Sequence, residues 1–550
     1  MRGSQPSGRV QPHSRTSALR RWNLQPREGA ILAAIALAAI AVYLPSLRND
    51  WVFDDWDQIV GAKLLHSWTG IGKSFIHDSW WFRHPAHLPQ SAYYRPFQAS
   101  WFGLNFMLLG NHPAAWRLEK IVLELIAVML SFRLAQLLTR NSAVALLSAA
   151  FFALLPANVE SVVWVSAIGE PLATIFELGA LCCFINRKPG WSRGLNFALM
   201  LYAGALLSHE TAILFPLIVA AYVFLIERAA AKPLPESSRS TATILARGVA
   251  AARVAAPFGL LAIAYLCARI EVLGLNSAFS SPHPVALAQA QTASPYHGPV
   301  DYLLTLPVVL LAYLSVLAVP GFAGPAHHVV WITSASPIAF VAAGILAILA
   351  LFALILVWRS SDRRLYLFCA AWSVMALAPA MKLNSIWALV QDRCLYAPSF
   401  GWSLALALAA VRLAAASPRA RATVAAVTAL LLAAYMVTAI RIEHFWRDDL
   451  TFFQQCVAVD PANVEYRRRL ADAMDKAGDF AAAARELERA AALHPDDAYL
   501  HLRLGQEYMR LRRRADFERE FQKYYELLGI AIPPSSVAET SSAAPPAGPP

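Results

Sequence analysis

Residues 30–60 read AILAAIALAAIAVYLPSLRNDWVFDDWDQIV: an apolar run from Ala30 to Leu47, then Arg48, then Asp50, Asp54, Asp55 and Asp57 set among Trp51, Phe53 and Trp56. A helix needs about 20 apolar residues to cross the hydrocarbon core of a bilayer, so the run reads as a membrane span. Arg2, Arg9, Arg15, Arg20, Arg21 and Arg27 precede it. That long basic lead, with no small-residue cleavage site followed by polar chain, predicts a retained anchor rather than a cleaved leader. Positive charge stays inside, which puts the N-terminus in the cytoplasm and the acidic turn outside.

Working outward, the composition says the same of the whole chain. Of its 550 residues 57% are hydrophobic and 15% charged, against about 25% charged in soluble domains. A cytosolic globular protein, a disulfide scaffold and a disordered chain are excluded. Six cysteines, mostly inside apolar runs, show no metal or disulfide spacing. The net charge of +11 is scattered between apolar runs, which fits loops beside anionic lipid and not nucleic acid. With 8 Lys against 39 Arg and abundant Ala, the composition hints at a GC-rich bacterial genome, and hence an inner-membrane location.

Further apolar runs lie near 118–138, 143–156, 171–186, 195–207, 211–227, 254–270, 301–320, 337–357, 365–381, 396–413 and 422–441. Basic clusters at Arg187/Lys188/Arg193, Arg228–Arg253, Arg359/Arg363/Arg364 and Arg412/Arg419/Arg421 should all be cytoplasmic. Alternation satisfies them if 301–320, which carries Pro307 and Pro320, is re-entrant or interfacial. About eleven spans result, with the C-terminus on the outer, periplasmic side.

Beyond the last run the chain turns polar, with helical periodicity and an echo at an offset of 34: Pro461 and Pro495, Phe453 and Leu487, Leu470 and Leu504, Ala471 and Gly505. That is the period of a tetratricopeptide helix pair. The Ala/Ser/Pro-rich end reads as disordered. The expected fold is therefore all-α: a basic cytoplasmic stretch 1–28, a polytopic membrane domain 29–445 with its first outer loop at 48–115, tetratricopeptide-like repeats 446–530 and a disordered tail 531–550.

Several polar residues fall near the outer ends of the spans. Adjacent Asp54 and Asp55 cannot share one helix face, so one carboxylate can project to a site while the other caps a helix or holds backbone donors. In "SAYYRPFQ" Arg95 follows Tyr94, a planar fork of donors beside a ring that suits a phosphate and a sugar or isoprenoid. "LLPANVESVVWVSAIGEPL" places Glu160 and Glu170 among apolar residues, "LLSHETAILFPL" places His209 beside Glu210, and "QDRCLYAPSFGW" places Asp392 beside Arg393. Ionisable groups at such depth are costly and mark sites. Their common outer face suits group transfer from a lipid phosphate, which needs one base for the acceptor hydroxyl and cations for the departing charge. No metal-ligand set can be read.

These motifs, in this order, resemble the transmembrane and tetratricopeptide-repeat family of protein O-mannosyltransferase-like proteins, within the GT-C superfamily, over most of Trp51–Leu528. "FDDWDQI" resembles its aromatic-Asp-Asp segment, "YYRPFQ" its Tyr-Arg-Pro-Leu segment, and "LLPANVESVVWVSAIGEPLATIF" its His-Pro-x-His-x-Glu block. "LLSHETAILFPLIVAAY" resembles its Lys-Glu block and "QDRCLYAPSFGW" its Glu-Arg-Tyr-Leu-Tyr-x-Pro-Ser block. The resemblance implies a polyprenyl-phosphate-linked sugar donor, with mannose the sugar, inverting transfer to a hydroxyl of a protein or glycan, and an acidic base in the first outer loop. Carried over, Asp54 or Asp55 is the base, Arg95 and Arg393 hold the donor phosphate, and Tyr94, Glu160, His209, Glu210 and Asp392 orient the site or sugar. The repeats would hold the acceptor or a partner. Leu155 and Asn158 stand where the family has histidines, Ile168 where Arg is common, His209 for Lys and Asp392 for Glu. Those departures motivate a rival expectation, a membrane-anchored repeat scaffold whose site has decayed; a lipid-linked sugar transporter ranks third.

Overall fold

The computed structural model describes residues 25–83, 91–188, 190–227, 241–275, 298–333, 336–381 and 389–530. Most of the basic N-terminal stretch, Arg228–Arg239 and the tail 531–550 lie outside the described residues. Among those described, the chain is helical with no strand. The helices are α1 (Pro26–Tyr43), α2 (Trp68–Lys73), α3 (Pro96–Leu109), α4 (Pro113–Thr139), α5 (Ser142–Leu154), α6 (Val159–Val163), α7 (Gly169–Ile185), α8 (Arg193–Ser208), α9 (Phe215–Tyr222) and α10 (Thr241–Leu273). They continue as α11 (Pro299–Ala318), α12 (Pro337–Arg359), α13 (Arg363–Leu377), α14 (Pro398–Ala414), α15 (Pro418–Phe445), α16 (Asp449–Val459), α17 (Val464–Lys476), α18 (Phe480–Leu493), α19 (Ala498–Arg510) and α20 (Arg514–Leu528).

Among the described residues eight helical segments are long and apolar enough to cross a membrane, or nine if the bent pair α5/α6 is one span. The expected eleven also takes in the shorter helices α8, α13 and α14, of 16, 15 and 17 residues, and leaves out α11. The bundle has two ends. At one, Asp50 N donates to Arg447 O at 2.8 Å, tying the exit of α1 to the exit of α15; we call this the site end. At the other, Arg187 pairs with Glu227 at 3.1 Å and Arg412 with Asp362 at 2.6 Å, joining the short turns that carry the basic clusters.

By length and hydropathy α11 is one of the eight, and several of its contacts are with the site end. Tyr302 Oη donates to Met381 O at 3.0 Å, Tyr313 Oη accepts from Gln391 N at 3.3 Å, and Gly324 N, beyond the helix, donates to Asp392 at 2.7 Å. Both halves of the helix thus touch the single connection between α13 and α14.

Between α5 and α7 the helix is broken twice. Leu155 and Trp164 both adopt extended backbone (ψ 121° and 117°), and Pro156 restarts the chain after a bend of 54°. The result is a set of single turns over 156–168 at the site end, the kind of irregular backbone tolerated at membrane depth only inside protein or beside a cavity. A close crossing of α13 and α14 depends on Gly401, where an added Cβ would lie 2.5 Å from Cys369 O.

α17 to α20 form two helix pairs whose boundaries recur 34 residues apart: 464 and 498, 480 and 514. Their N-caps repeat as well, Asn463 bonding Tyr466 N and Asp497 bonding Tyr499 N. The core of the membrane bundle does not stop at residue 446; Phe452, Phe453, Cys456, Tyr466 and Leu470 belong to it, while a separate small core of alanines, Leu487, Leu500, Leu504 and Tyr508 holds the pairs together. A boundary at 446 therefore cuts through continuous packing, because α16 and the first turns of α17 are seated on the bundle.

Candidate active site

The acidic turn is built by one carboxylate. Asp55 is fully buried; its Oδ1 accepts from Ser166 N at 2.8 Å and Ser166 Oγ at 2.6 Å, and its Oδ2 from Val52 N at 3.2 Å. It closes the 52–55 turn and pins it to the broken segment before α7. Burial raises its pKa, opposed by Arg117 and these donors. Asp54 points elsewhere. It is half-buried, it receives a 3.3 Å bond from Gln58 Nε2, and burial raises its pKa to about 6 against the pull of Arg469 and Arg393. A carboxylate so placed is ionised near neutrality yet basic enough to take a proton.

Two arginines are held in ion pairs. Arg95 grips Glu210 with two parallel bonds, Nε to Oε2 at 2.7 Å and Nη2 to Oε1 at 2.9 Å, and lies 4.5 Å over the Tyr93 ring. Arg393 donates through Nη1 and its backbone N to Glu160, approaches Glu170 at 3.5 Å, and lies 4.9 Å over the Trp164 ring. His209 Nε2 stands 3.4 Å from the same Glu170 oxygen, its Nδ1 2.9 Å from Thr211 Oγ1. Trp164 also stacks on Phe53 at 5.5 Å, so the indole touches both the guanidinium of Arg393 and the residue before Asp54. Three carboxylates hold two guanidiniums and an imidazole, and each arginine keeps one terminal nitrogen that bonds no described residue. Gly169, next to Glu170, lets Gln98 and His209 approach, since a Cβ there would sit 2.7 Å from Gln98 Oε1 and 3.1 Å from His209 Cδ2.

Two expected residues stand apart. Tyr94 is buried with its hydroxyl given to Phe75 O at 2.9 Å, and its carbonyl accepts from Tyr265 on α10; its neighbour Tyr93 faces Arg95 instead, because successive side chains of an extended segment point opposite ways. Asp392 accepts from Gly324 N and His327 Nε2, both at 2.7 Å, so it ties down the loop after α11 and leaves Arg393 to the cluster. Where the family has histidines, Leu155 is buried and Asn158 donates to Phe152 O at 2.9 Å.

Arg117, Lys120 and Glu124 stand in no motif that marks them in the sequence. Their spacing of three and four puts them on one face of α4, and that face is buried. Arg117 Nη2 donates to Asp50 O, Tyr396 Oη donates to Glu124, and Lys120 Nζ has no hydrogen-bond partner among the described residues. No motif marks Arg469 of α17 either; its guanidinium lies 5.7 Å over Phe53. No group of three or more His, Cys, Asp or Glu among the described residues has metal-binding geometry.

The sequence matches no family model. It is 23% identical over 536 residues to protein O-mannosyl-transferase TMTC3 of Homo sapiens, covering 93% of this chain and 56% of that protein. Against the Drosophila melanogaster Tmtc3 it is 23% identical over 559 residues, covering 91% of this chain and 59% of the relative. Against protein O-mannosyl-transferase TMTC4 of Homo sapiens it is 32% identical over 91 residues. The chain thus spans little more than half the length of the relatives it matches from end to end. The likeness to these proteins, named protein O-mannosyl-transferases, runs over about nine-tenths of this chain's residues.

Proposed function

We propose that the chain is a membrane glycosyltransferase that moves a sugar, mannose by its likeness to the named relatives, from a polyprenyl phosphate to a hydroxyl of a protein or glycan acceptor. The observation that carries this reading is the gathering of Asp54, Arg95 and Arg393, with Glu160, Glu170 and Glu210, at one end of a membrane bundle. In the proposed reaction the Asp54 carboxylate takes the acceptor hydroxyl proton as that oxygen attacks C1 of the sugar. The C1–O bond to phosphate breaks, its electron pair leaves with the phosphate, and the configuration at C1 inverts. Arg95 and Arg393 receive the phosphate charge through their remaining donors, fixed in aim by Glu210 and Glu160. Lipid-linked sugar enters as substrate, and the reading calls for no metal.

In this reading the N-terminus lies in the cytoplasm of a bacterial cell, and the site and the repeats face the periplasm, where α17–α20 hold the acceptor close to the base. Asp54→Asn and Asp55→Asn, each assayed in membranes for transfer of labelled sugar from polyprenyl phosphate, test it. Loss in Asp54→Asn is expected. Full activity in both variants would leave the scaffold reading, for which buried Leu155 and Asn158 at the family's histidine positions speak, and which requires that deleting residues 446–530 abolish function.

A further inference from the structure

Phe53 has a backbone φ of 57°, a left-handed conformation that a bulky L residue adopts only when its surroundings enforce it. Those surroundings come largely from beyond the last span. The Phe53 amide donates to Asp449 Oδ1, on the first residue of α16, at 2.7 Å. Its ring stacks on Phe452 at 6.1 Å and meets Phe453 edge-on at 5.8 Å, with Trp164 on a further face. Asp449 Oδ2 in turn receives Lys476 Nζ from the end of α17 at 3.2 Å, and that ammonium lies 5.1 Å over the Trp56 ring. The dihedral angles at residue 53 set the direction in which residue 54 leaves. Strain of this kind gathers at functional sites, where it aims a group that relaxed backbone would turn away.

We propose that Asp449 is a positioning residue for Asp54: through the Phe53 amide and ring, the first helix of the C-terminal module completes the acidic turn, so the transfer site is assembled only when that module is seated. The inference rests on the reading of Asp54 as base. It makes α16 part of the site and gives the module a role in turnover separate from any acceptor binding.

The test uses the full-length chain in membranes, with kcat and donor KM measured for labelled polyprenyl-phosphate sugar. Asp449→Ala removes the acceptor of the Phe53 amide and should lower kcat roughly a hundredfold, the usual effect of a misplacement near 1 Å. Donor KM should stay unchanged, because Arg95 and Arg393 stand on other elements. Asp449→Asn keeps an acceptor oxygen and should recover most of the rate. Asp448→Ala removes the N-cap of the same helix, where Asp448 Oδ1 accepts from Thr451 N at 2.8 Å, and should stay near the parent. Parent-like kcat in Asp449→Ala overturns the proposal, as does equal loss in all three variants, which would mean general loosening of α16. Should Asp449→Ala not accumulate, Phe452→Ala decides: the same kcat-specific loss supports the proposal and an unchanged kcat overturns it. An active Asp54→Asn would sink the underlying reading, whereas an inactive Asp54→Asn beside an active Asp449→Ala sinks only this one.

Discussion

Two adjacent aspartates differ because their surroundings differ. Asp55 spends its oxygens on Ser166 and Val52, so Asp55→Ala strands buried donors at about 1–3 kcal/mol each and should lower the thermal midpoint of the purified protein. Among the described residues no backbone donor bonds the Asp54 side chain, so Asp54→Asn should leave that midpoint in place while cutting turnover by about 10²–10⁴-fold, the span of general-base effects. The base works only when deprotonated. With its pKa raised to about 6 by burial, transfer should reach half its plateau near pH 6 and fall below it. Arg469 pulls that pKa down, so Arg469→Ala should move the acid limb of the pH–rate profile to higher pH; an unmoved limb would exclude Asp54 as the titrating group. Asp54 and Asp55 could be found as a pair in the sequence, but their division of labour could not, since it is set by Ser166, 111 positions away.

The repeated helix pairs carry an experiment within themselves. Gly478 takes a left-handed φ of 83° at the turn between α17 and α18, and the equivalent residue 34 positions on is Arg512, with φ 59°. Arginine pays for that conformation where glycine does not, so Arg512→Gly should stabilise the second pair by up to about 1 kcal/mol. Hydrogen exchange of amides in 498–528 in the intact chain should then slow; faster exchange would refute the strain. Removal of the caps Asn463 or Asp497 should act oppositely, by about 1 kcal/mol each. In the membrane bundle the tight point is Gly401. Gly401→Val would drive side-chain carbon into the Cys369 carbonyl, prise α13 from α14 and abolish accumulation of folded protein. Periodicity announced the pairs, and apolar runs announced the long helices. The short ones, α8, α13 and α14, fall below the length of a straight span, yet each joins the end that carries a basic cluster to the end that carries His209, Met381 or Arg393.

For the molecule as a whole, sidedness follows from the two ends of the bundle. Single cysteines replacing Gly298, Gly321 and Arg447 should label from one compartment and one replacing Ser361 from the other, each read with an impermeant thiol reagent in intact cells. Gly298 and Gly321 labelling from opposite sides would make α11 a span and refute its re-entrant or interfacial reading. The same geometry explains why the module after residue 446 is not a pendant: Phe452, Phe453, Tyr466 and Leu470 lie in the membrane domain's own core, and water-excluding contact of that kind gives a seated module and not a flexible tether.

What the sequence alone determined is what chemistry imposes locally: apolar length, charge beside each run, the 34-residue echo and the presence of costly ionisable groups near helix ends. Each needs only a residue and its near neighbours. What only the tertiary structure decided is which groups meet. Arg95 is paired to Glu210, Arg393 to Glu160, and Phe53 to Asp449 across 115, 233 and 396 positions. Those choices depend on how broken helices and a seated repeat pack together, and no local pattern records the outcome of packing.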